Sequence, residues 1–314
     1  MRESGRNMGA QTRLDWSPYS TGRPAETLAV QRRKAELSLA AACLREDVMR
    51  MMLKSRYGHP ASCLGLAELF AALYAGGILN FSARRPLNPA RDRLVVSCGH
   101  VSALVYTALA SAGFIASEKL EKYACRGGLP GHLERFHPAG VEISAGSLGQ
   151  GVSTAVGMAL ALKETGRRVF LLTSDGEQQE GQVWEAYMAV RKYHLPNLLI
   201  FVDVNGLQNS GTTAEIMPVG SLVKKYRAFG LPAVEQDGHD APGIVRAAET
   251  MLESGGPGVI LLRTVPGKGV SFMENNPAWH GDLPEGALAE QACRELEKRR
   301  REAESWKFFL EQMV

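Results

Sequence analysis

The sequence has few cysteines, and none of them is arranged as in a disulfide framework or a zinc site. The five are Cys43, Cys63, Cys98, Cys125 and Cys293; their number is odd, and no two form a Cys-x-x-Cys pair. A secreted disulfide-rich domain or a structural zinc module is therefore not indicated. Reduced thiols are typical of intracellular proteins, so we expect a cytoplasmic location.

Long apolar runs and a dominant charge are also missing. No segment reaches the roughly 18 uninterrupted apolar residues that a membrane span needs, and residues 1–30 lack the apolar core of a secretory signal. The 36 Lys and Arg residues nearly balance the 33 Asp and Glu residues, which leaves a net charge of +3. An excess this small does not indicate nucleic acid or a membrane surface, so we expect neither as a partner.

The 314 residues are enough for one large α/β domain or two small ones. We predict three parts. Residues 1–30 are expected to form a flexible N-terminal extension, residues 31–284 an α/β module, and residues 285–314 an amphipathic C-terminal helix. The apolar face of that helix is thin and its polar face mixes both charges, which favours packing or partner contact over membrane binding.

The stretch from residue 169 to residue 208 organises the predicted fold. Apolar, strand-like runs at residues 169–173 and 198–202 flank a helix-like segment. Such a crossover makes the strands parallel neighbours, so we expect an α/β fold with a doubly wound, mostly parallel sheet and helices on both faces. Asp175 and Asn205 follow the two strands and would meet at the carboxyl edge, where open sheets bind ligands. Their oxygens suit a hard cation such as Mg²⁺.

Two further segments and several loop histidines are candidates for a site. Cys98-Gly99-His100 follows a short predicted strand, and the glycine-rich residues 140–151 precede an Ala-rich apolar helix. Helix N-termini of this kind offer unpaired N–H groups to a diphosphate. Taken alone, the glycine-rich segment fits close helix packing equally well. A histidine in a loop, such as His59, is more often a surface or capping residue, and only its titration range argues for function.

Residues 175–186 read Asp-Gly-Glu-Gln-Gln-Glu-Gly-Gln-Val-Trp-Glu-Ala, and Asn205 follows roughly thirty residues after Asp175. This arrangement resembles the thiamine diphosphate motif of the transketolase family. Other segments resemble the family in the same chain order, so that the likeness covers residues 35–284. Residues 268–281 are nearly the sequence found in stand-alone N-terminal transketolase subunits. The resemblance therefore implies the thiamine diphosphate-binding fold.

The resemblance also implies roles for individual residues. It assigns Mg²⁺, or another divalent cation such as Ca²⁺ or Mn²⁺, to Asp175, Asn205 and the backbone carbonyl of Leu207. It assigns thiamine diphosphate to His59, His100, Gly146, Ser147, Leu148, Asp175, Gly176, Glu177, Asn205 and His280. Recognition of sugar hydroxyls and proton transfer fall to His59, His100, His132 and His280. His137 and His239 are expected at the surface and in a turn, respectively, outside the chemistry.

Several residues depart from the family pattern. Ser174 replaces the first glycine of the metal motif, and Cys98 replaces a Lys or Asn beside His100. Tyr57, Ala61 and Ser62 surround His59 in place of the usual residues. These departures leave the shape of the pocket open.

By resemblance, the chain is a transketolase-type transferase. It would move a two-carbon ketol unit from a ketose or ketose phosphate to an aldose or aldose phosphate. We expect it to be the N-terminal subunit, with a separate pyrimidine-binding C-terminal subunit, in an α2β2 heterotetramer. Two alternatives stay open: transfer of the two-carbon unit to a carrier or a specialised-metabolite precursor, and a non-catalytic binding or regulatory module.

Overall fold

The computed structural model of the chain describes residues 27–313. Residues 1–26 of the predicted extension thus lie outside the described residues. Its residues 28–30 belong to the first helix. The helices are α1 (Leu28–Ser55), α2 (Pro60–Gly65), α3 (Ala67–Tyr74), α4 (Ser102–Ser111), α5 (Gln150–Leu162), α6 (Gly181–Tyr193), α7 (Thr213–Ile216), α8 (Leu222–Ala228), α9 (Ala241–Glu253) and α10 (Gly286–Gln312). The strands are β1 (Arg93–Val96), β2 (Val169–Ser174), β3 (Leu198–Val204), β4 (Leu207–Gln208), β5 (Gly211–Thr212), β6 (Ala233–Asp237) and β7 (Gly258–Arg263).

Five strands form one parallel sheet in the order β1-β2-β3-β7-β6. The predicted pairing of β2 with β3 is confirmed, with Val169 opposite Leu198 and Ser174 opposite Asp203. All six residues of β2 and the first six of β3 are buried. Strands covered on both faces need continuous apolar runs, and these two have them. The register brings the carboxyl ends of β1, β2 and β3 to one edge of the sheet.

Helices cover both faces of the sheet, as predicted for a doubly wound fold. On β2, Phe170 and Leu172 belong to one hydrophobic core, together with residues of α1, α3, α4 and α9. Val169 and Leu171 belong to a second core with residues of α5, α6 and α8. Side chains of a strand alternate between faces, so one apolar run supplies both cores.

The long helix α10 packs along α1. Its Ala292 and Leu296 lie in the same core as α1, and Arg300 forms an ion pair with Glu46 at 2.6 Å. At the other end of α1, Arg32 Nε donates to the backbone carbonyl of Leu310 at 3.0 Å. None of the helices within residues 27–313 combines the length and apolarity that crossing a bilayer requires.

The structure differs from the sequence prediction near His59 and after β3. The apolar spacing of the sequence predicts one helix from Leu64 to Tyr74, but the structure has two, because Pro60 starts α2 earlier and the helix is interrupted at Leu66. The small hairpin of β4 and β5 and the one-turn helix α7 were not predicted. Strands of two residues carry too little periodicity to be recognised in a sequence.

Candidate active site

Four histidines from four separate segments meet in one cluster, which we call the histidine cluster (His59, His100, His132 and His280). The ring of His59 lies at its centre. Its centroid is 5.6 Å from that of His100 and 5.8 Å from those of His132 and His280. His100 and His280 are also 5.8 Å apart. The structure therefore brings together all four predicted histidines, although 221 residues separate the first from the last in the sequence.

Local backbone features place each ring. His59 directly precedes Pro60 and ends the turn after α1. His100 lies in a short 3-10 turn, Gly99–Val101, that follows the carboxyl end of β1. His280 follows another 3-10 turn, Pro277–Trp279. The fourth ring, that of His132, lies in a loop held by hydroxyl groups of neighbouring side chains.

The cluster favours neutral imidazoles. Burial, followed by the neighbouring His280 and His132, lowers the pKa of His59 to about 4. Burial and His59 lower the pKa of His100 to about 3, and burial lowers the pKa of His280. A neutral imidazole carries one N–H donor and one acceptor nitrogen. Each of these three rings can therefore both donate to and accept from a hydroxyl group near neutral pH.

The predicted metal ligands lie at the neighbouring strand ends. Asp175 follows β2, and its carboxylate accepts the N–H groups of Gly176 at 2.8 Å and Gly206 at 2.7 Å. Asn205 follows β3; its amide donates to Asp203 at 2.8 Å, and its oxygen accepts the N–H of Leu207 at 2.8 Å. The turn after β3 is thus tied to the carboxylate of Asp175. We call this region the carboxylate corner (Asp175, Asp203 and Asn205).

The electrostatics of this corner fit a divalent cation. Asp175 is 2 % exposed, and within residues 27–313 no Lys, Arg or His forms an ion pair with it. Burial raises the pKa of Asp175 to about 6 despite the N–H groups of Gly206 and Gly176. Burial also raises the pKa of Asp203 to about 7, against a hydrogen bond from Thr264. Two buried carboxylates that lack an ion pair among the described residues favour a bound metal ion, which would stabilise their ionised forms.

The donor set also limits which metal site is possible. Among the described residues, no group of three or more His, Cys, Asp or Glu side chains is arranged to hold a metal ion. A cation at this corner would rely on one carboxylate, one amide oxygen and a backbone carbonyl. That set leaves positions for phosphate oxygens and water, which is the usual coordination of Mg²⁺.

The glycine-rich segment forms a loop beside both regions. Gly146 and Ser147 are exposed and Leu148 is partly buried. A β-carbon placed on Gly146 would lie 3.8 Å from Cδ2 of His132, so the loop borders the histidine cluster. The carbonyl of Leu148 accepts a hydrogen bond from Gln182 at 3.1 Å. The backbone of this loop is therefore open to a ligand on the side that faces the cluster.

Glu177 joins the loop to the carboxylate corner. It is fully buried, and its Oε1 accepts hydrogen bonds from the N–H of Gly149 at 2.5 Å and from the hydroxyl of Ser97. Its Oε2 has no hydrogen-bond partner within residues 27–313. Burial raises the pKa of Glu177, while the bonds from Ser97 and Gly149 lower it. In this structure Glu177 holds the loop in place.

Gln178, which was not predicted as a site residue, supports the turn that carries Asp175. Its amide donates to the hydroxyl of Thr173 at 2.9 Å and to the carbonyl of Ser174 at 3.0 Å. Its oxygen accepts the hydroxyl of Tyr226 at 2.7 Å. A buried amide satisfied on both ends fixes the turn that carries Asp175. This role could not be predicted from the sequence, because no periodicity distinguishes a buried glutamine in this segment from an exposed one.

The departures from the family pattern have different structural outcomes. Ser174 is the last residue of β2, and its hydroxyl accepts the N–H of Glu177 at 3.4 Å, so the turn forms without a glycine. Cys98 is buried, and burial raises the pKa of its thiol. Ala61 and Ser62 are buried in α2. Only Tyr57 reaches the histidine cluster, through a contact between its hydroxyl and Nδ1 of His132 at 3.1 Å.

Three other histidines, His137, His194 and His239, lie outside the cluster. His137 is exposed, as predicted. His239 accepts the N–H of Val265 at 2.8 Å through Nε2, and its Nδ1 is 3.1 Å from Glu68. Because Glu68 also pairs with the buried Arg45, His239 has a structural role that its predicted place in a turn did not reveal.

Comparison with known proteins identifies the family of the chain. The family model described as the thiamine diphosphate binding domain of transketolase matches residues 37–303. The chain is 37 % identical over 265 residues to one subunit of the apulose-4-phosphate transketolase of Actinobacillus succinogenes, covering 83 % of this chain and 96 % of that protein. The chain belongs to the transketolase family. It is therefore a transferase with the thiamine diphosphate-binding fold.

Two further transketolases extend the comparison. The 6-deoxy-6-sulfo-D-fructose transketolase subunit SqwG of a Clostridium species is 38 % identical over 267 residues, which is 84 % of this chain and 97 % of that protein. The solved transketolase from Leishmania mexicana superposes with a TM-score of 0.75 at 26 % identity, over 86 % of this chain and 46 % of that one. The chain thus spans about half the length of the solved transketolase and nearly the whole length of the two subunits.

Proposed function

We propose that this chain is the diphosphate-binding subunit of a two-polypeptide transketolase, which transfers a two-carbon ketol unit from a ketose to an aldose. The observation that carries the proposal is the convergence of four histidines beside the buried Asp175 and the partly buried Asn205. His100 follows β1 and Asp175 follows β2, and these strands are parallel neighbours, with Val96 opposite Leu172. A substrate group and a metal-bound diphosphate would therefore lie next to each other at one sheet edge.

The cofactor would be held by three elements of the chain. Asp175, Asn205 and the backbone carbonyl of Leu207 would hold Mg²⁺, or Ca²⁺ or Mn²⁺ in its place. The loop of Gly146, Ser147 and Leu148, with Gly176 at the neighbouring turn, would offer backbone N–H groups to the diphosphate. His59, His100 and His280 would reach it from the histidine cluster, and Glu177 would keep the loop in position. When bound, thiamine diphosphate supplies the nucleophilic carbon that attacks the ketose carbonyl.

The histidines would bind and orient the sugar and move protons. As neutral rings, His59, His100 and His280 offer both donors and acceptors, which suits hydroxyl groups better than imidazolium ions would. Nδ1 of His59 is buried and has no hydrogen-bond partner among the residues that the structure describes. Burying an unpaired polar atom is unfavourable, so a bound ligand or water at this nitrogen would stabilise the site. His59 would hold a proton close to the reacting hydroxyl groups.

The proposed partner is a separate polypeptide that carries the pyrimidine-binding module. The names of both subunits compared above, and the near-complete overlap with them, support this organisation. An α2β2 heterotetramer with that polypeptide is our proposal for the assembly. The substrates proposed are sugars or sugar phosphates, since the two relatives are named for ketoses with a phosphate or a sulfonate group.

Substitution Asp175→Asn tests the metal assignment. We expect Mg²⁺-dependent binding of thiamine diphosphate, measured by calorimetry on the chain assembled with its pyrimidine-binding subunit, to weaken at least a hundredfold. The melting temperature of the isolated chain should change little, because removal of a buried charge that lacks a cationic partner opposes the loss of one acceptor for the N–H groups of Gly176 and Gly206. Full Mg²⁺-dependent binding by the variant would overturn the assignment, and Asp240→Asn, at the N-terminus of α9, is the matched control.

Turnover by the assembled pair distinguishes the functions. We expect the pair to transfer a two-carbon unit between a ketose and an aldose, and the isolated chain to have negligible activity. If the pair transfers the two-carbon unit only to a carrier or to another class of acceptor, the proposed sugar acceptor is wrong. Thiamine diphosphate binding without any turnover would indicate a non-catalytic module instead.

A further inference from the structure

Tyr57, one of the residues that depart from the family pattern, contacts the histidine cluster. Its hydroxyl lies 3.1 Å from Nδ1 of His132, and its ring is edge-on to that of His59 with 6.3 Å between centroids. The side chain is 38 % exposed and faces the cluster from its open side. A tyrosine at this point adds both a hydroxyl group and a rigid ring to the wall of the pocket.

The backbone around Tyr57 fixes this position. Helix α1 ends at Ser55; Arg56 follows it in a left-handed conformation with φ 52°, and Gly58 has φ 142°. The φ of Gly58 is one that L side chains rarely adopt, so any other residue would be strained there, and its β-carbon would also lie 2.7 Å from the side chain of Met52. The chain therefore turns sharply on both sides of Tyr57 and directs its ring away from α1.

The segment that carries Gly131 and His132 leaves room for the ring of Tyr57. A β-carbon on Gly131 would lie 2.6 Å from Cε1 of Tyr57, so the glycine leaves room for the aromatic edge. The carbonyl of Gly131 accepts hydroxyl hydrogen bonds from Ser102 at 2.6 Å and Tyr123 at 3.2 Å. These two bonds hold the backbone directly before His132, and the hydroxyl of Tyr106 donates to the carbonyl of His132 at 3.3 Å.

The two edges of the His132 ring face different groups. Nδ1 faces the hydroxyl of Tyr57, while Cδ2, on the opposite side of the ring, faces the position of Gly146 in the proposed diphosphate loop. Nε2 is bonded to Cδ2 and therefore lies on the edge that faces the site. A phenol is a stronger donor than a neutral imidazole N–H, and an imidazole nitrogen is the better acceptor. The favoured arrangement is donation from Tyr57 to Nδ1, which leaves the proton of His132 on Nε2.

We propose that Tyr57 is a positioning residue that holds His132 with its Nε2–H directed at a hydroxyl group of the sugar substrate. This inference rests on the proposed function for its substrate class, while the state of the His132 ring is a property of the chain itself. The tyrosine acts through His132 and takes no part in the bond changes. Its effect is to make one member of the cluster a fixed donor, although a free imidazole would exchange between two tautomers.

Nuclear magnetic resonance on the isolated chain tests the positioning directly. The ¹⁵N shifts of His132 should report the Nε2–H tautomer in the native chain and a mixture of tautomers in Tyr57→Phe, which keeps the ring and loses the hydroxyl. Gly131→Ala, which displaces the Tyr57 ring, should reproduce that change. Tyr193→Phe, at a tyrosine that is 41 % exposed on α6, is the matched control and should change nothing at His132. Unchanged His132 shifts in Tyr57→Phe would overturn the proposal.

Kinetics of the assembled pair test the link to substrate. Tyr57→Phe should lower kcat/KM for a ketose about tenfold while the affinity for thiamine diphosphate stays the same. In a His132→Gln background the same change should have less than a twofold effect, because residues that act through one another are not additive. Full additivity would overturn the proposed coupling. Absence of ketol transfer by the native pair would instead contradict the proposed function, and the tautomer of His132 would still be measurable.

Discussion

The N–H of Gly149 donates to Oε1 of Glu177 at 2.5 Å, and the hydroxyl of Ser97 donates to the same oxygen. One buried carboxylate thus joins the end of β1, the glycine-rich loop and the turn that carries Asp175. The loop that would bind a diphosphate and the corner that would bind its metal cannot move independently.

Substitution of Glu177 should separate these elements. Glu177→Ala leaves the N–H of Gly149 and the hydroxyl of Ser97 without an acceptor, which costs about 1–3 kcal/mol for each unsatisfied group. We expect a lower free energy of unfolding and weaker binding of thiamine diphosphate. Glu177→Gln keeps an acceptor oxygen and should retain most of both quantities. Glu185→Gln, at an exposed position of α6, is the control for charge removal, and equal effects of all three changes would contradict this role.

Acid should destabilise the isolated chain through the histidine cluster. The pKa of His59 is about 4 in the folded chain, below its ordinary value of 6.5. The unfolded chain therefore binds the proton first, and stability falls as the pH drops from 6.5 toward 4. Replacing the ring by an uncharged side chain in His59→Gln should make the melting temperature less dependent on pH over this window. An equally steep fall in the variant would contradict the prediction, and His137→Gln serves as the exposed control.

The buried pair of Arg45 and Glu68 should respond to a lower range of pH. Burial alone would raise the pKa of Glu68, but Arg45 and the hydrogen bond with His239 lower it to about 2 from an ordinary value of 4.5. Its contribution to stability is present above pH 4.5 and is lost as the pH falls toward 2.

Glu68→Ala should be far more harmful than loss of a surface ion pair. It leaves the Arg45 guanidinium buried without its carboxylate, which costs about 3–5 kcal/mol. Glu290→Ala removes an exposed pair with Arg294 and should cost under about 1 kcal/mol. Chemical denaturation of both variants at neutral pH measures the difference, and similar values would show that the Arg45 pair is not effectively buried.

Ser174→Gly restores the residue that the family motif has at this position. The change removes one long hydrogen bond, from the N–H of Glu177 at 3.4 Å, and adds backbone freedom at the end of β2. We expect a loss of stability of about 0.5–1 kcal/mol and unchanged cofactor affinity. A marked gain in affinity for thiamine diphosphate would mean that Ser174 distorts the carboxylate corner, in contrast to the geometry described above.

Much of the fold and the site could be predicted because their signals are local. The apolar runs of β2 and β3 identified two buried parallel strands, and their carboxyl ends brought Asp175 and Asn205 to one corner. The family motifs around His59, His100, His132 and His280 predicted as site residues the four histidines that the structure brings together. Sequence spacing and motif order carry this information, since each motif lies within a few residues of a strand or helix end.

The remaining features depend on contacts between distant segments. The bond between Tyr57 and His132, the support of Glu177 under Gly149, and the network of Gln178 and Tyr226 join residues 28 to 75 positions apart. No periodicity encodes such contacts. The pairing of His239 with Glu68 was missed for the same reason, because a turn motif indicates the backbone conformation and not what the ring will reach.

The span of the histidine cluster has a consequence for biosynthesis. Its central ring is supplied by residue 59 and its last by residue 280, so the cluster cannot form until residue 280 has left the ribosome. Contacts this distant in sequence are also slow to form after synthesis. The site that would bind the cofactor is therefore completed late, and thiamine diphosphate cannot use His280 to stabilise a nascent chain. Cofactor loading would then act on chains that have already folded.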